Sequence, residues 1–113
     1  MTADEFRRIA LGFSDAFEGS HMGHPDFRVH GKIFATLHYP DERWGMVKLP
    51  PEDQRSLVHA HPEVFVPAKG AWGRQGSTNV RLEVVDAGTL SRALEVAWRK
   101  VSAKPARCSK KTS

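Results

Sequence analysis

The sequence is poor in cysteine and in long apolar runs. Its single cysteine, Cys108, excludes an internal disulfide and favours a reducing compartment. No apolar run is long enough to cross a bilayer. The first residues, Met1 to Glu5, are acidic and lack the apolar region of a signal peptide. We therefore expect a cytoplasmic protein with no membrane partner.

The sequence also lacks the patterns of common catalytic and metal sites. It has six histidines, but no His-Glu-x-x-His motif and no cysteine pair, which favours surface or turn positions over a metal site. None of the serines at 14, 20 and 77 has the flanking glycine pattern of a nucleophile elbow. Cys108 lies in the predicted tail, where little can activate its thiol. We expect no catalytic activity, no metal and no cofactor.

The positive charge of the chain is unevenly distributed. The formal net charge is +4, and the pI is about 9.6. Four of the 17 Lys and Arg residues lie after residue 103, so 13 remain to balance the 13 Asp and Glu residues. These four are Lys104, Arg107, Lys110 and Lys111. We predict one folded domain over residues 1–103 and a disordered basic tail over residues 104–113.

The pattern of apolar residues predicts an α+β domain, with an antiparallel sheet of about five strands backed by N- and C-terminal helices. Thr2 and Glu5 form a capping-box pair for the first helix, and Asp86 caps the last. Helices are predicted over 3–12, over 51–60 and after Asp86. Strands are predicted over 16–22, 27–30, 32–39, 43–49 and 79–85, with a brief edge strand at 64–66 and a turn at 23–26.

The segment from His24 to Tyr39 predicts a β-hairpin. Its two runs of alternating residues meet at Gly31, which accepts positive φ freely. No carboxylate lies between Arg28 and Tyr39, so the hairpin should have one apolar and one cationic face. The residues predicted to face the core are Phe27, Val29, Ile33, Ala35 and Leu37, and those predicted to face outward are Arg28, His30, Lys32 and His38.

Residues 69–77 contain three glycines and no acid, which predicts a loop. Trp72 can anchor this loop on the core or stack on a ligand, and large aromatic side chains more often pack. Arg74 and Gln75, exposed by neighbouring glycines, are candidates for contact with phosphates or base edges.

The cations of the predicted strands are open to two interpretations. Arg28, Lys32 and Lys48 can belong to an ordinary solvated strand face. Alternatively, they form a basic patch together with Lys69 and Arg74 of the loop.

Several segments, in this order, resemble the MmcQ/YjbR-like family. They are GHPDFRV at 23–29, GKIFA at 31–35, KL at 48–49 with a following helix, PEVF at 62–65 and WGRQG at 72–76. The resemblance covers nearly all of residues 2–103. It implies a compact fold related to the frataxin-like CyaY fold, and DNA binding through a double-wing arrangement of β-hairpins. The wings would then be the hairpin at 26–39 and the segment at 69–81.

Two functions follow from these observations. The first is a DNA-binding module whose hairpin and glycine-rich loop contact phosphates, with Arg28, Lys32, Lys48, Lys69, Trp72, Arg74 and Gln75 as its binding residues. The alternative is a small anionic-ligand or protein-interaction domain without catalytic activity. In that case an anion pocket would be lined by His24, Arg28, Lys48, Trp72 and Arg74.

Overall fold

Six strands pair in one sheet in the computed structural model, which describes residues 1–39 and 41–102. The elements, in chain order, are α1 (Ala3–Leu11), β1 (Phe17–His21), β2 (His24–Val29), β3 (Lys32–Leu37), β4 (Trp44–Lys48), α2 (Pro51–Ala60), β5 (Phe65–Pro67), α3 (Gly70–Arg74), β6 (Ser77–Arg81) and α4 (Ala87–Ser102).

The strand order is β1-β2-β3-β4-β6-β5, and every neighbouring pair is antiparallel. Helices α1 and α4 pack on one face of the sheet and bury Phe6, Leu90 and Leu94 against strand residues such as Phe27 and Val47. The predicted α+β fold with helices at both ends is confirmed, although the sheet has six strands rather than about five.

The predicted helix boundaries follow from local chemistry. Thr2 Oγ1 accepts a hydrogen bond from the Glu5 backbone N–H at 3.1 Å, and the Glu5 carboxylate accepts one from the Thr2 backbone N–H at 2.9 Å. Pro51 occupies the first turn of α2, where no backbone donor is needed. Asp86 Oδ1 accepts a hydrogen bond from the Thr89 N–H at 2.7 Å and caps α4. These three helix starts confirm the predictions.

The turn before the main hairpin was predicted wrongly. It is a two-residue turn at Met22 and Gly23, with φ of 51° and 81°, and residues 24–26 belong to β2 rather than to a turn. A two-residue turn in which both φ values are positive matches the twist of the flanking strands. The hairpin at Gly31 is confirmed, and His30 shares its turn with φ of 54°.

Two other details of the strands differ from the predicted alternation. Phe27 pairs with Ala35 and Arg28 with Ile33, which makes Phe34 an extra residue on β3. This bulge explains why Phe34 is buried and Ile33 only half-buried. Strand β6 ends at Arg81 rather than at residue 85, as was predicted, and Val84 beyond it is exposed.

The segment predicted as a loop at 69–77 contains the short helix α3, so that prediction was wrong. Two of its glycines are needed because neighbouring backbone packs closely against them, and not because the segment is flexible. A Cβ on Gly73 would lie 1.8 Å from the Ala68 carbonyl oxygen, and a Cβ on Gly76 would lie 1.7 Å from that of Leu49. Gly76 also has φ of 111°, and its carbonyl accepts a hydrogen bond from the Leu49 N–H at 3.0 Å. The segment is therefore fixed to the end of β4. The predicted tail, residues 104–113, lies outside the described residues.

Candidate functional site

Helices α1 and α4 pack on one face of the sheet, and we call the opposite face the open face. Its side chains follow from the register, because directly paired residues point to the same side. Gly19, Asp26, Thr36, Met46, Asn79 and Val66 form its central row. The residues two positions away on each strand belong to the same face.

The strands place more cations than acids on the open face. Arg28, Lys48 and Arg81 lie on this side of β2, β4 and β6. The only carboxylate that the six strands place there is Asp26, which is fully buried. Because residues 1–103 have equal numbers of acidic and basic side chains, this face has a local excess of positive charge within a neutral domain.

Asp26 and Arg28 form a two-point ion pair. Arg28 Nε donates to Asp26 Oδ1 at 2.7 Å, and Nη2 donates to Oδ2 at 3.0 Å. His21 Nδ1 also lies 2.7 Å from Asp26 Oδ2. The hydrogen bonds from Arg28, followed by that of His21, hold the pKa of Asp26 below its usual value despite burial. The guanidinium of Arg28 is therefore mostly engaged within the fold.

Lys48 lies at the end of the open face that meets α3, which we call the Lys48 end. Its Nζ is 5.9 Å from the centre of the Trp72 ring, within the range of a cation–π contact. Trp72 is 65% exposed, so the expectation that it anchors the segment on the core was wrong. An exposed indole beside an ammonium group offers a surface for a flat, anionic ligand.

Gln54 of α2 holds α3 in place. Its amide nitrogen lies 2.9 Å from the Gly73 carbonyl oxygen, 3.1 Å from that of Ser77 and 3.1 Å from Thr78 Oγ1. Because Gln54 is only 7% exposed, these hydrogen bonds are shielded from water. Trp72 therefore projects from a rigid support rather than from a free loop.

Trp44 and Arg81 form a second aromatic–cation pair on the open face, which the sequence interpretation did not single out. They are directly paired residues of β4 and β6, and the Arg81 guanidinium lies 4.6 Å from the Trp44 ring centre. The available signal was the alternation of Trp44, Met46 and Lys48 on one side of β4. The pairing of β4 with β6 was needed to add Arg81.

The other predicted binding residues occupy different places. Lys69, Arg74 and Gln75 are exposed on the segment that contains α3. Lys32 pairs with Val29, a core residue, so it lies on the helix-covered side at the end of its strand. The structure thus brings Lys48 and Trp72 together but places Lys32 on the opposite side from Lys48.

The residues of the alternative anion pocket do not surround one cavity. His24 lies four residues from Arg28 on an extended strand, a separation of about 13 Å, and away from the Lys48 end. It lines a shallow cleft with His38, Asp41, Glu42 and Arg43. Two carboxylates there, one of them paired with Arg43, disfavour an anionic ligand.

The described part of the chain also bears on metals and membranes. Across residues 1–39 and 41–102, His, Asp and Glu side chains nowhere gather in groups of three or more that could hold a metal ion. Every helix within these ranges is too short or too polar to span a bilayer.

Known proteins provide a further comparison. The model of the YjbR family matches residues 11–100. No curated protein matches the chain significantly. Among solved structures, the Deinococcus radiodurans protein DR2400, which has a DUF419 domain, superposes with a TM-score of 0.75. The two are 21% identical, and the alignment covers 91% of this chain and 80% of that one. At this identity the similarity establishes a shared fold.

Proposed function

The chain belongs to the YjbR family, and we propose that it is a DNA-binding module whose open face contacts phosphates. This is a role in binding rather than in catalysis. The proposal agrees with the DNA binding that the family resemblance implies, but it moves the contact surface from projecting hairpins to the face of the sheet.

The distribution of charge on the open face carries this proposal. Asp26 is the one strand carboxylate on that side, and Arg28 neutralises it. Lys48 and Arg81 then remain without an ion pair among the described residues. Both side chains are half-buried, and Arg81 Nε also donates to the Glu63 carbonyl oxygen at 3.1 Å. Cations that rigid elements hold in place can position a phosphate.

The segment with α3 extends this surface at the Lys48 end. Lys69 and Arg74 are exposed and have no ion pair in the part of the chain that the structure describes. They would add phosphate contacts next to Lys48. Arg28, in contrast, would stabilise the surface through Asp26 more than it would bind a phosphate itself.

A salt titration with matched lysine variants tests the proposal. Lys48→Gln and Lys100→Gln change the net charge equally, but Lys100 is exposed on α4, which packs on the opposite face. Affinity for a short DNA duplex is measured by fluorescence anisotropy over a range of KCl concentrations. Lys48→Gln should weaken binding and reduce the slope of log K against log salt by roughly 0.9, whereas Lys100→Gln should change little.

Two results would contradict the proposal. Equal losses in both variants would mean that only net charge matters. No binding by the wild-type protein to the duplex or to a single-stranded oligonucleotide, even at low salt, would mean that the domain is not a DNA-binding module.

The basic C-terminal residues are a separate source of affinity. The four cations after residue 103 would contribute about −3.6 to the salt slope if each paired with a phosphate, at roughly −0.9 per contact. Removal of residues 104–113 should therefore flatten the slope and leave some binding. Complete loss of both duplex and single-strand binding at low salt would show that the folded face contributes nothing.

A further inference from the structure

We infer that the open face prefers a single strand of nucleic acid to a duplex, with one base stacked on Trp72. This inference rests on the proposed function and specifies the kind of nucleic acid. It depends on the exposure of Trp72, on Lys48 beside its ring and on the pairing of both hairpins within the sheet.

The hairpins are not shaped to enter a groove of duplex DNA. A major groove admits an α-helix or a two-stranded ribbon. Strand β2 pairs with β1 over residues 24–28 and with β3 over residues 26–29. Most of β2 is therefore held between two strands, and neither hairpin is a free ribbon over its whole length. Helices α1 and α4 lie on the other face, and Leu57 and Val58 of α2 pack against the same core.

Trp72 has the environment of a stacking residue. Its ring is 65% exposed, Lys48 lies 5.9 Å from the ring centre, and the α3 backbone beneath it is held by Gln54. Every base has an aromatic face, whereas in a duplex the faces of internal bases are already stacked. An exposed indole beside a cation, on a backbone held by Gln54, therefore matches an unpaired base and its phosphate.

Trp44 is a second aromatic side chain, half-buried, at the other end of β4. It lies four residues from Lys48 on an extended strand, about 13 Å away, and Arg81 packs on its ring. The strip between them contains Met46 and no carboxylate. Aromatic groups and cations along one strip are typical of sequence-tolerant binding to single strands.

Anisotropy titrations of the full chain at one low salt concentration test this inference. The probes are labelled 12-nucleotide oligo(dT) and oligo(rU), and a 12-base-pair duplex. The variants are Trp72→Ala, Trp72→Phe and, as a control, Met22→Ala, whose 91% exposed side chain lies in the β1–β2 turn. Each variant is first checked for an unchanged unfolding midpoint.

We expect at least one single-stranded probe to bind more tightly than the duplex. Trp72→Ala should weaken that binding by roughly 5- to 150-fold, the loss of one stacked base. Trp72→Phe should recover most of it, and Met22→Ala should bind like wild type.

The outcomes separate this inference from the proposed function. Duplex binding that equals or exceeds single-strand binding would overturn the inference and leave DNA binding in place. Single-strand binding that Trp72→Ala does not weaken would also overturn it. If no probe binds, the proposed function fails, and the inference fails with it.

Discussion

Arg28 donates two hydrogen bonds, of 2.7 and 3.0 Å, to the fully buried carboxylate of Asp26. The two residues lie two positions apart on β2, on the same face of the sheet. This relationship decides how the open face should respond to pH and to mutation. It also distinguishes Arg28, which stabilises the open face, from the cations there that have no ion pair among the described residues.

The ion pair predicts a loss of stability in acid. The pKa of Asp26 is lowered from an ordinary value of 3.8. Its contribution to the free energy of unfolding is therefore complete above pH 3.8 and is lost as the pH falls through the lower pKa of the folded state. Urea unfolding between pH 7 and pH 3 should show this loss. The pKa values of Glu5, Asp41 and Asp86 are also lowered, so these groups also reduce the stability of the fold when they are protonated in acid.

Asp26→Asn isolates the contribution of Asp26. We expect the variant to be less stable at pH 7 by about 2 kcal/mol, below the 3–5 kcal/mol of a fully buried pair because Arg28 is partly exposed. The difference from wild type should shrink as the pH falls below 3.8. A difference that stays constant over this range would show that the charge of Asp26 does not stabilise the fold.

Arg28 and Lys48 should differ in what they affect. Arg28→Gln leaves the buried carboxylate of Asp26 with His21 as its remaining side-chain partner, so it should lower the free energy of unfolding by about 1–3 kcal/mol. Lys48→Gln should change that free energy by less than about 0.5 kcal/mol and weaken nucleic-acid binding instead. Paired urea and anisotropy measurements compare the two. The account is wrong about Arg28 if its variant keeps full stability and loses affinity.

Gln54 should control the position of Trp72. Gln54→Leu removes the donors for two carbonyl oxygens and a hydroxyl, which should cost about 1–3 kcal/mol of stability. Hydrogen exchange of the backbone amides in residues 70–76 should become faster. Glu52→Gln, an exposed change on the same helix, is the control and should alter neither quantity. Unchanged exchange in Gln54→Leu would mean that other contacts hold α3.

Two glycines with positive φ should tolerate alanine differently. Gly31→Ala meets open space and should lose about 1–2 kcal/mol from backbone strain alone. Gly76→Ala has the same kind of strain, and its Cβ would also lie 1.7 Å from the Leu49 carbonyl oxygen. Thermal unfolding should therefore show a much larger loss for Gly76→Ala. Equal losses would contradict the close approach between α3 and the end of β4.

Local patterns in the sequence were sufficient to predict most of the fold. The capping pair at Thr2 and Glu5, the proline at the start of α2 and the Asp86 cap each depend on neighbouring residues, and all three predictions are confirmed. The hairpin at Gly31 has the same local origin. The family, too, was identified from short segments distributed along the chain.

The features that sequence reasoning missed depend on contacts between distant residues. The helix α3 is stabilised by Gln54, 19 positions before Gly73, so its glycines alone indicated a loop. The pairing of β4 with β6 places Arg81 on Trp44, although 37 positions separate them. The alternation along β2 indicated that Arg28 faces outward, but it did not reveal that Asp26 would engage its guanidinium.

The most direct test of the open face as the binding surface is a map of backbone amide shifts by NMR as single-stranded or duplex DNA is added to the full chain. The account predicts that the largest changes occur in β4, β6 and α3, around Met46, Lys48, Trp72 and Asn79. Changes confined to α1 and α4, or to the residues after 103, would contradict it.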